Sequence, residues 1–146
     1  MIEKPRVLGL DVGEKRIGMA ISDPMGWSAQ PIETLHRTKL EKDLDQIQKW
    51  VDHYKAKKIV VGLPKNMNGT VGPQGEDTKE FAELLKNHLN SEIEFIFWDE
   101  RLSSRSAERI LIEGNVSRKN RKGLIDTVAA VIILQNYMDA QPKGEY

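Results

Sequence analysis

The sequence predicts an α/β domain, a mixed β-sheet with helices packed on its faces. Three observations predict it. Two short apolar runs, RVLGLDVG and RIGMAISD, flank a Gly-Glu-Lys-Arg turn and read as a β-hairpin. The hydrophobic period then lengthens: Leu40, Leu44, Ile47, Val51 and Tyr54 recur at steps of three and four, as on one face of a helix. Beyond that point strand-like and helix-like segments alternate, the pattern that lays helices over a sheet. The predicted order is β-β-β-α-β-α-β-α-α.

Each element has a local reason. WSAQPIETLHR reads as a third strand, and Pro31 assigns it to an edge or an irregularity because proline cannot donate to an inner ladder. A helix over residues 39–56 follows, with Thr38 and Glu41 spaced as a capping box. KIVVGLP is a continuous β-branched run, expected of a strand buried on both faces. The segment KNMNGTVGPQG is rich in Gly, Asn and Pro and reads as a long loop. Residues 75–90 form the next helix, with Phe81, Leu84, Leu85 and Leu89 facing inward. IEFIFWDE is a strand. Ser103 or Ser104 caps a further helix ending near Gly114-Asn115, VSRKNRKG is a basic loop, and a buried helix runs from about Leu124 to Met138. Trp27, Trp50 and Trp98 are expected in the core, and His36, His53 and His88 at the surface.

The 146 residues suit one domain, set at residues 1–140 with a short tail at 141–146. There is no cysteine, so disulfides and thiolate metal sites are excluded and a cytoplasmic setting is expected. No apolar run is long enough to span a bilayer, and no membrane role is expected. The 22 basic and 22 acidic residues cancel, so any nucleic-acid surface must be a local patch rather than a global field.

The chemistry-bearing candidates are carboxylates on apolar elements. Asp11 ends the first strand, Asp99 and Glu100 end the last, and Asp126 opens the final helix. Ligands of open α/β sheets bind beyond the carboxyl ends of the strands. Carboxylates gathered there repel one another unless a cation intervenes, and an all-oxygen set suits Mg²⁺ or Mn²⁺. Two such ions about 3.5–4 Å apart form a clamp for in-line attack on a phosphodiester. Each residue also has an ordinary role: Asp11 as a turn former, Asp126 as a first-turn acid on the helix dipole, Glu100 as an ion-pair partner of Arg101 or Arg105. Alternation points Asp99 and Glu100 to opposite faces, so one of the two enters the site.

Cations surround these positions. Lys15 and Arg16 follow Asp11, and Arg101, Arg105 and Arg109 are spaced by four. Arg118, Lys119, Arg121 and Lys122 precede Asp126, where a polyanion's phosphates would need neutralising. Lys65, Asn66 and Asn68, in the long loop, are candidates to touch substrate.

Four stretches in order, LGLDVGEKRIGMAISD, VVGLPKNMNGTVGPQ, FWDERLSSRSAE and KGLIDTVAAVIILQNYM, resemble the YqgF/RuvX family over almost the whole chain. The resemblance implies an RNase H-like fold, with a mixed five-stranded sheet whose first three strands are antiparallel and whose last two run parallel to strand 1. It implies a metal-dependent nuclease with the acidic triad Asp11, Glu100 and Asp126, choosing Glu100 over Asp99, with two Mg²⁺ or Mn²⁺ ions as cofactors. Family members are associated with 5′-end processing of pre-16S rRNA and with Holliday junction cleavage. The expected partners are therefore pre-rRNA, within a ribosomal precursor particle, or branched DNA. The chain is expected as a monomer or a homodimer, and two symmetric sites would favour the junction-resolving role. Ser103-Ser104 replaces a Thr-Thr common in the family, and either pair can cap a helix. Competing classes fare worse. A phosphotransferase of the actin/hexokinase type would need a second lobe. A non-catalytic binding module would leave acids facing phosphates with no cation between them.

Overall fold

The computed structural model describes residues 4–89, 92–99 and 118–141, the side chains of 118–126 excepted. Its elements are β1 (Val7–Val12), β2 (Arg16–Ser22), β3 (Ala29–His36), α1 (Leu40–Tyr54), β4 (Lys58–Leu63), α2 (Pro73–His88), β5 (Glu94–Asp99) and α3 (Arg118–Asp139). The five strands form one sheet in the order β3-β2-β1-β4-β5. β1 and β3 each pair antiparallel with β2, while β4 lies parallel to β1 and β5 parallel to β4. This is the mixed sheet expected from the sequence. The helix expected between Ser103 and Gly114 lies outside the described residues.

Strand alternation divides the side chains between two faces. Leu8, Leu10 and Val12 of β1, Ile17, Met19 and Ile21 of β2, and Ile59 and Val61 of β4 meet Leu44, Ile47 and Val51 of α1 and Phe81, Ala82 and Leu85 of α2. The opposite face offers Val7, Ala20 and Val60, covered by Ala130, Ile133, Leu134, Tyr137 and Met138 of α3. Both faces of β1 and β4 are thus dry, which is why their sequences are near-continuously apolar. Burying each large aliphatic side chain here contributes about 1.5–3 kcal/mol. Gly9 sets the α3 distance: a Cβ there would stand 2.8 Å from Leu134 Cβ and 3.3 Å from the Ala130 carbonyl oxygen. The helix therefore lies against bare strand backbone.

Pro31 sits on an edge strand and at an irregularity. Ala20 pairs with Pro31 and Met19 with Glu33, so Ile32 is an extra residue that bulges β3. Several local expectations are corrected. The capping box does not form: Lys39 is the N-cap of α1 and makes no side-chain cap bond, and Asp43 instead accepts the Thr38 N–H at 3.0 Å. Leu84 is exposed, since α2 buries Phe81, Ala82 and Leu85 along a narrower stripe. Trp27 is 75% exposed, carried on a turn whose backbone is held by Asp23. Trp98 packs edge-on against Tyr137, and Trp50 is half-buried and donates to Glu33. His36 and His53 are exposed, and His88 is half-buried beside Asp45.

The largest correction concerns the final helix. Residues expected as a basic loop are helical from Arg118 onward. Arg and Lys are good helix formers, and one glycine at Gly123 costs about 1 kcal/mol, which a helix anchored by Ile133, Leu134 and Met138 tolerates. The run lacks apolar periodicity, so the pattern hid it. Asp126 is consequently the ninth residue of the helix rather than a first-turn acid, and the dipole role foreseen for it is not available.

Candidate functional site

Asp11 is the fifth residue of β1 and is half-buried among buried neighbours. It lies on the α3 face, two residues beyond Gly9. Across the sheet it pairs with Gly18 of β2, which in turn pairs with Thr34 of β3. On the other side Leu10 pairs with Val61, and the residue that follows Val61 is Gly62. Asp11 therefore stands between two glycines, neither of which has a side chain to crowd its carboxylate.

Helix α3 crosses this row. Its residues Ala130 and Leu134 lie over Gly9, and Thr127 meets Thr34 through their hydroxyls. The helix thus descends as β1 rises. Two strand residues advance about 6.6 Å and four helical residues about 6 Å, so the step from Gly9 to Asp11 matches the step from Ala130 back to Asp126. The backbone of Asp126 stands at the level of Asp11, with Thr127 beside it buried and bonded to the same row. Topology sets these two positions at one level of the sheet from 115 residues apart in sequence.

The third candidate, Glu100, lies outside the described residues. Its neighbour Asp99 ends β5 and is exposed. Ile96 and Trp98 pack on the α3 side and Phe95 on the α1/α2 side, so Asp99 shares the face of Phe95, opposite Asp11. Among the described residues no three His, Cys, Asp or Glu side chains form a metal-holding group.

The cationic candidates divide by position. Lys15 is exposed on the β1–β2 turn and Arg16 opens β2, both within five residues of Asp11. Arg118, Lys119, Arg121 and Lys122 occupy the opening turns of α3. Arg101 and Arg105 lie outside the described residues. Lys65 begins the loop after β4, and Asn66 and Asn68 are exposed within it. These asparagines also build that loop: Asn66 Nδ2 donates to Thr70 Oγ1 at 2.9 Å, and Asn68 Oδ1 accepts from Thr70 Oγ1 at 2.6 Å and from its N–H at 3.1 Å. A backbone pair, Asn66 N–H to the Thr70 carbonyl at 2.8 Å, closes it. The segment is a self-braced turn rather than a slack insertion, with Met67 87% exposed at its tip.

A cavity of about 1140 Å³ opens between the β1–β2 turn, the start of α1 and the middle of α2, with Gly13, Lys15, Arg37, Asp43, Asp77 and Phe81 in its wall. The sequence reading missed this concavity and Arg37 in it, and also Gly18, Gly62, Thr34 and Thr127. An isolated glycine within each strand run was the available signal, because it marks close approach of another group. For the threonines and Arg37 no periodic signal exists. Among the described residues no helix is long and apolar enough to cross a membrane.

Comparison with known proteins gives the same order of elements a family. A profile described as RuvX, Holliday junction resolvase, matches residues 5–140. A Syntrophomonas wolfei protein named "Putative pre-16S rRNA nuclease" is 54% identical over 140 residues, covering 96% of this chain and 98% of the relative. A Clostridium tetani protein of the same name is 52% identical over 135 residues, covering 92% and 96%. Among solved structures, Thermus thermophilus RuvC bound to a Holliday junction superposes with a TM-score of 0.59 at 10% identity, over 94% of this chain and 98% of that one. A fowlpox virus resolvase with junction DNA gives 0.59 at 14% identity, over 92% and 97%. At such identities these two structures speak for the fold alone.

Proposed function

We propose that this chain, which belongs to the RuvX family and is a nuclease, hydrolyses phosphodiester bonds at the 5′ end of pre-16S rRNA, with Asp11, Glu100 and Asp126 as the carboxylates of one divalent-cation site. The observation that carries the site is the level match between Asp11 and the Asp126 backbone, at the carboxyl end of β1 where ligands of such sheets bind. Asp99 faces away from Asp11, which supports Glu100, one residue on, as the third member. Carboxylate oxygens without sulfur or imidazole suit Mg²⁺ or Mn²⁺, and the glycines flanking Asp11 leave room for an ion beside it. When bound, a pair of such ions supplies an activated water for attack at phosphorus and stabilises the departing oxygen.

The chain's own residues do the rest. Lys15 and Arg16 on one side, and the cations at the start of α3 on the other, offer charge to phosphates flanking the scissile bond. Arg101 and Arg105 would add to that path. Lys65, with the braced loop behind it, overhangs the carboxyl end of β4, next to β1. The rRNA assignment rests on the names of relatives that cover more than nine-tenths of the chain. A precursor ribosomal particle in the cytoplasm is the natural setting for that substrate.

The test is cleavage of a pre-16S 5′ leader and of a four-way DNA junction, side by side in Mg²⁺ or Mn²⁺, by the wild type and by Asp11→Asn. Leader cleavage that Asp11→Asn abolishes, with unchanged circular dichroism, is the expected result. Undiminished cleavage by the variant would overturn the site. Junction cleavage alone would replace the RNA substrate with branched DNA.

A further inference from the structure

The turn that follows Asp11 is held by a residue from another part of the sheet. Within the turn, the Gly13 N–H donates to the Arg16 carbonyl at 2.8 Å. A Cβ on Gly13 would lie 2.7 Å from that same oxygen, so the turn closes more tightly than a side chain permits. The outward carbonyl of Gly13 accepts a 2.8 Å hydrogen bond from Arg37 Nη1. Arg37 follows β3, and its own N–H donates to the Lys15 carbonyl at 2.9 Å. Its guanidinium lies 4.9 Å from the centroid of Phe81 in α2. Its Nε reaches Asp43 Oδ2 of α1 at 3.4 Å.

Asp43 is itself 2% exposed and also accepts the Thr38 N–H. A buried carboxylate needs such partners, since an unpaired buried charge is costly. One planar cation thus joins the β1–β2 turn to both helices on the far face. A guanidinium suits this task because its donors are fixed in a plane and its face stacks on an aromatic ring.

We infer that Arg37 is a positioning residue for Asp11. By fixing the Gly13 carbonyl, two residues beyond Asp11, it sets the end of β1 and with it the direction of the carboxylate. Arg37 acts from the α1/α2 side of the sheet, whereas Asp11 faces α3, so it works through the backbone and contacts no cation. This inference rests on the metal-site reading above, and it has a readout that does not.

Two measurements on Arg37→Gln and Arg37→Lys, made well below each variant's unfolding temperature, test it. The first is amide hydrogen exchange across residues 11–16, which needs no metal. The second is Mn²⁺ binding to the protein alone, followed by the electron paramagnetic resonance of free Mn²⁺. Both variants are expected to speed exchange in the turn, with Ile59–Val61 unchanged. Arg37→Gln is expected to weaken Mn²⁺ binding about tenfold, the lower end for loss of an outer-shell support, and Arg37→Lys to weaken it less. Unchanged turn exchange overturns the inference whatever the metal does. Faster exchange with wild-type Mn²⁺ affinity also overturns it, reducing Arg37 to a stabilising contact. A wild type that binds no Mn²⁺, or binds it equally well after Asp11→Asn, overturns the metal-site reading and the inference with it, whereas binding that Asp11→Asn weakens and Arg37→Gln does not overturns the inference alone. Should Arg37→Gln fail to fold, Arg37→Lys carries both measurements.

Discussion

Thr127 of α3 and Thr34 of β3 share a hydrogen bond between their hydroxyls, and it falls in the cross-strand row that contains Asp11. Only Gly18 separates Thr34 from Asp11 in that row, and only a peptide bond separates Thr127 from Asp126. The pair therefore fixes the height of the helix next to Asp126, at the level of the row that holds Asp11. Thr127 is buried, so replacing Thr34 by Val leaves a hydroxyl deprived of its partner, costing about 1–3 kcal/mol. Thr34→Val and Thr127→Val are each expected to destabilise by that amount in urea denaturation. The double variant should lose less than their sum, because two apolar groups of the same shape need no partner. Strict additivity would show that the pair does not interact.

Gly9 makes a second test of the same helix placement. A methyl group there meets Leu134 Cβ at 2.8 Å, and the Ala130 carbonyl behind it cannot rotate away. Gly9→Ala is expected to cost about 1–3 kcal/mol by overpacking and to lift α3 from β1. Nuclease activity should fall further than the loss of folded protein accounts for, measured as specific activity against the folded fraction.

Face assignment at the end of β5 separates two adjacent acids. Asp99 belongs to the Phe95 face, away from Asp11. Asp99→Asn should keep cleavage within a few-fold of wild type. Glu100→Gln should lower it by more than about 100-fold, above the effect of losing an outer-shell partner. The reverse order of effects in a single-turnover assay would move the third ligand to Asp99.

The loop after β4 offers a test of its bracing. Asn68 Oδ1 takes two bonds from Thr70: Asn68→Ala removes both, whereas Thr70→Ala removes the hydroxyl's bonds to Asn68 and Asn66 and keeps the N–H donor. Each variant loses two of these three bonds, so Asn68→Ala and Thr70→Ala are both expected to speed hydrogen exchange over residues 66–70 and to raise KM. A KM rise for Asn68→Ala alone would show that this side chain meets substrate directly.

The elements themselves were legible because period and composition act locally. The β-branched run of β4 announced burial on both sides, and Pro31 announced an edge and a bulge. The lysines and arginines before Asp126 were misread for the same local reason, since α3 is held at Ile133, Leu134 and Met138, far from that run. The candidate carboxylates could be named singly, each an acid on an apolar element. Which of them share a face could not.

By itself the sequence determined that an acid stands near the end of the first strand, that strands and helices alternate after a hairpin, and that oxygen rather than sulfur would hold any cation. Tertiary structure alone decided the rest. The antiparallel descent of α3 over Gly9 sets the Asp126 backbone level with Asp11, and Arg37 reaches across two helices to grip the turn behind it. Both follow from side chains and backbone meeting through space, at separations of 24 to more than 100 residues, where no pattern along the chain can register them.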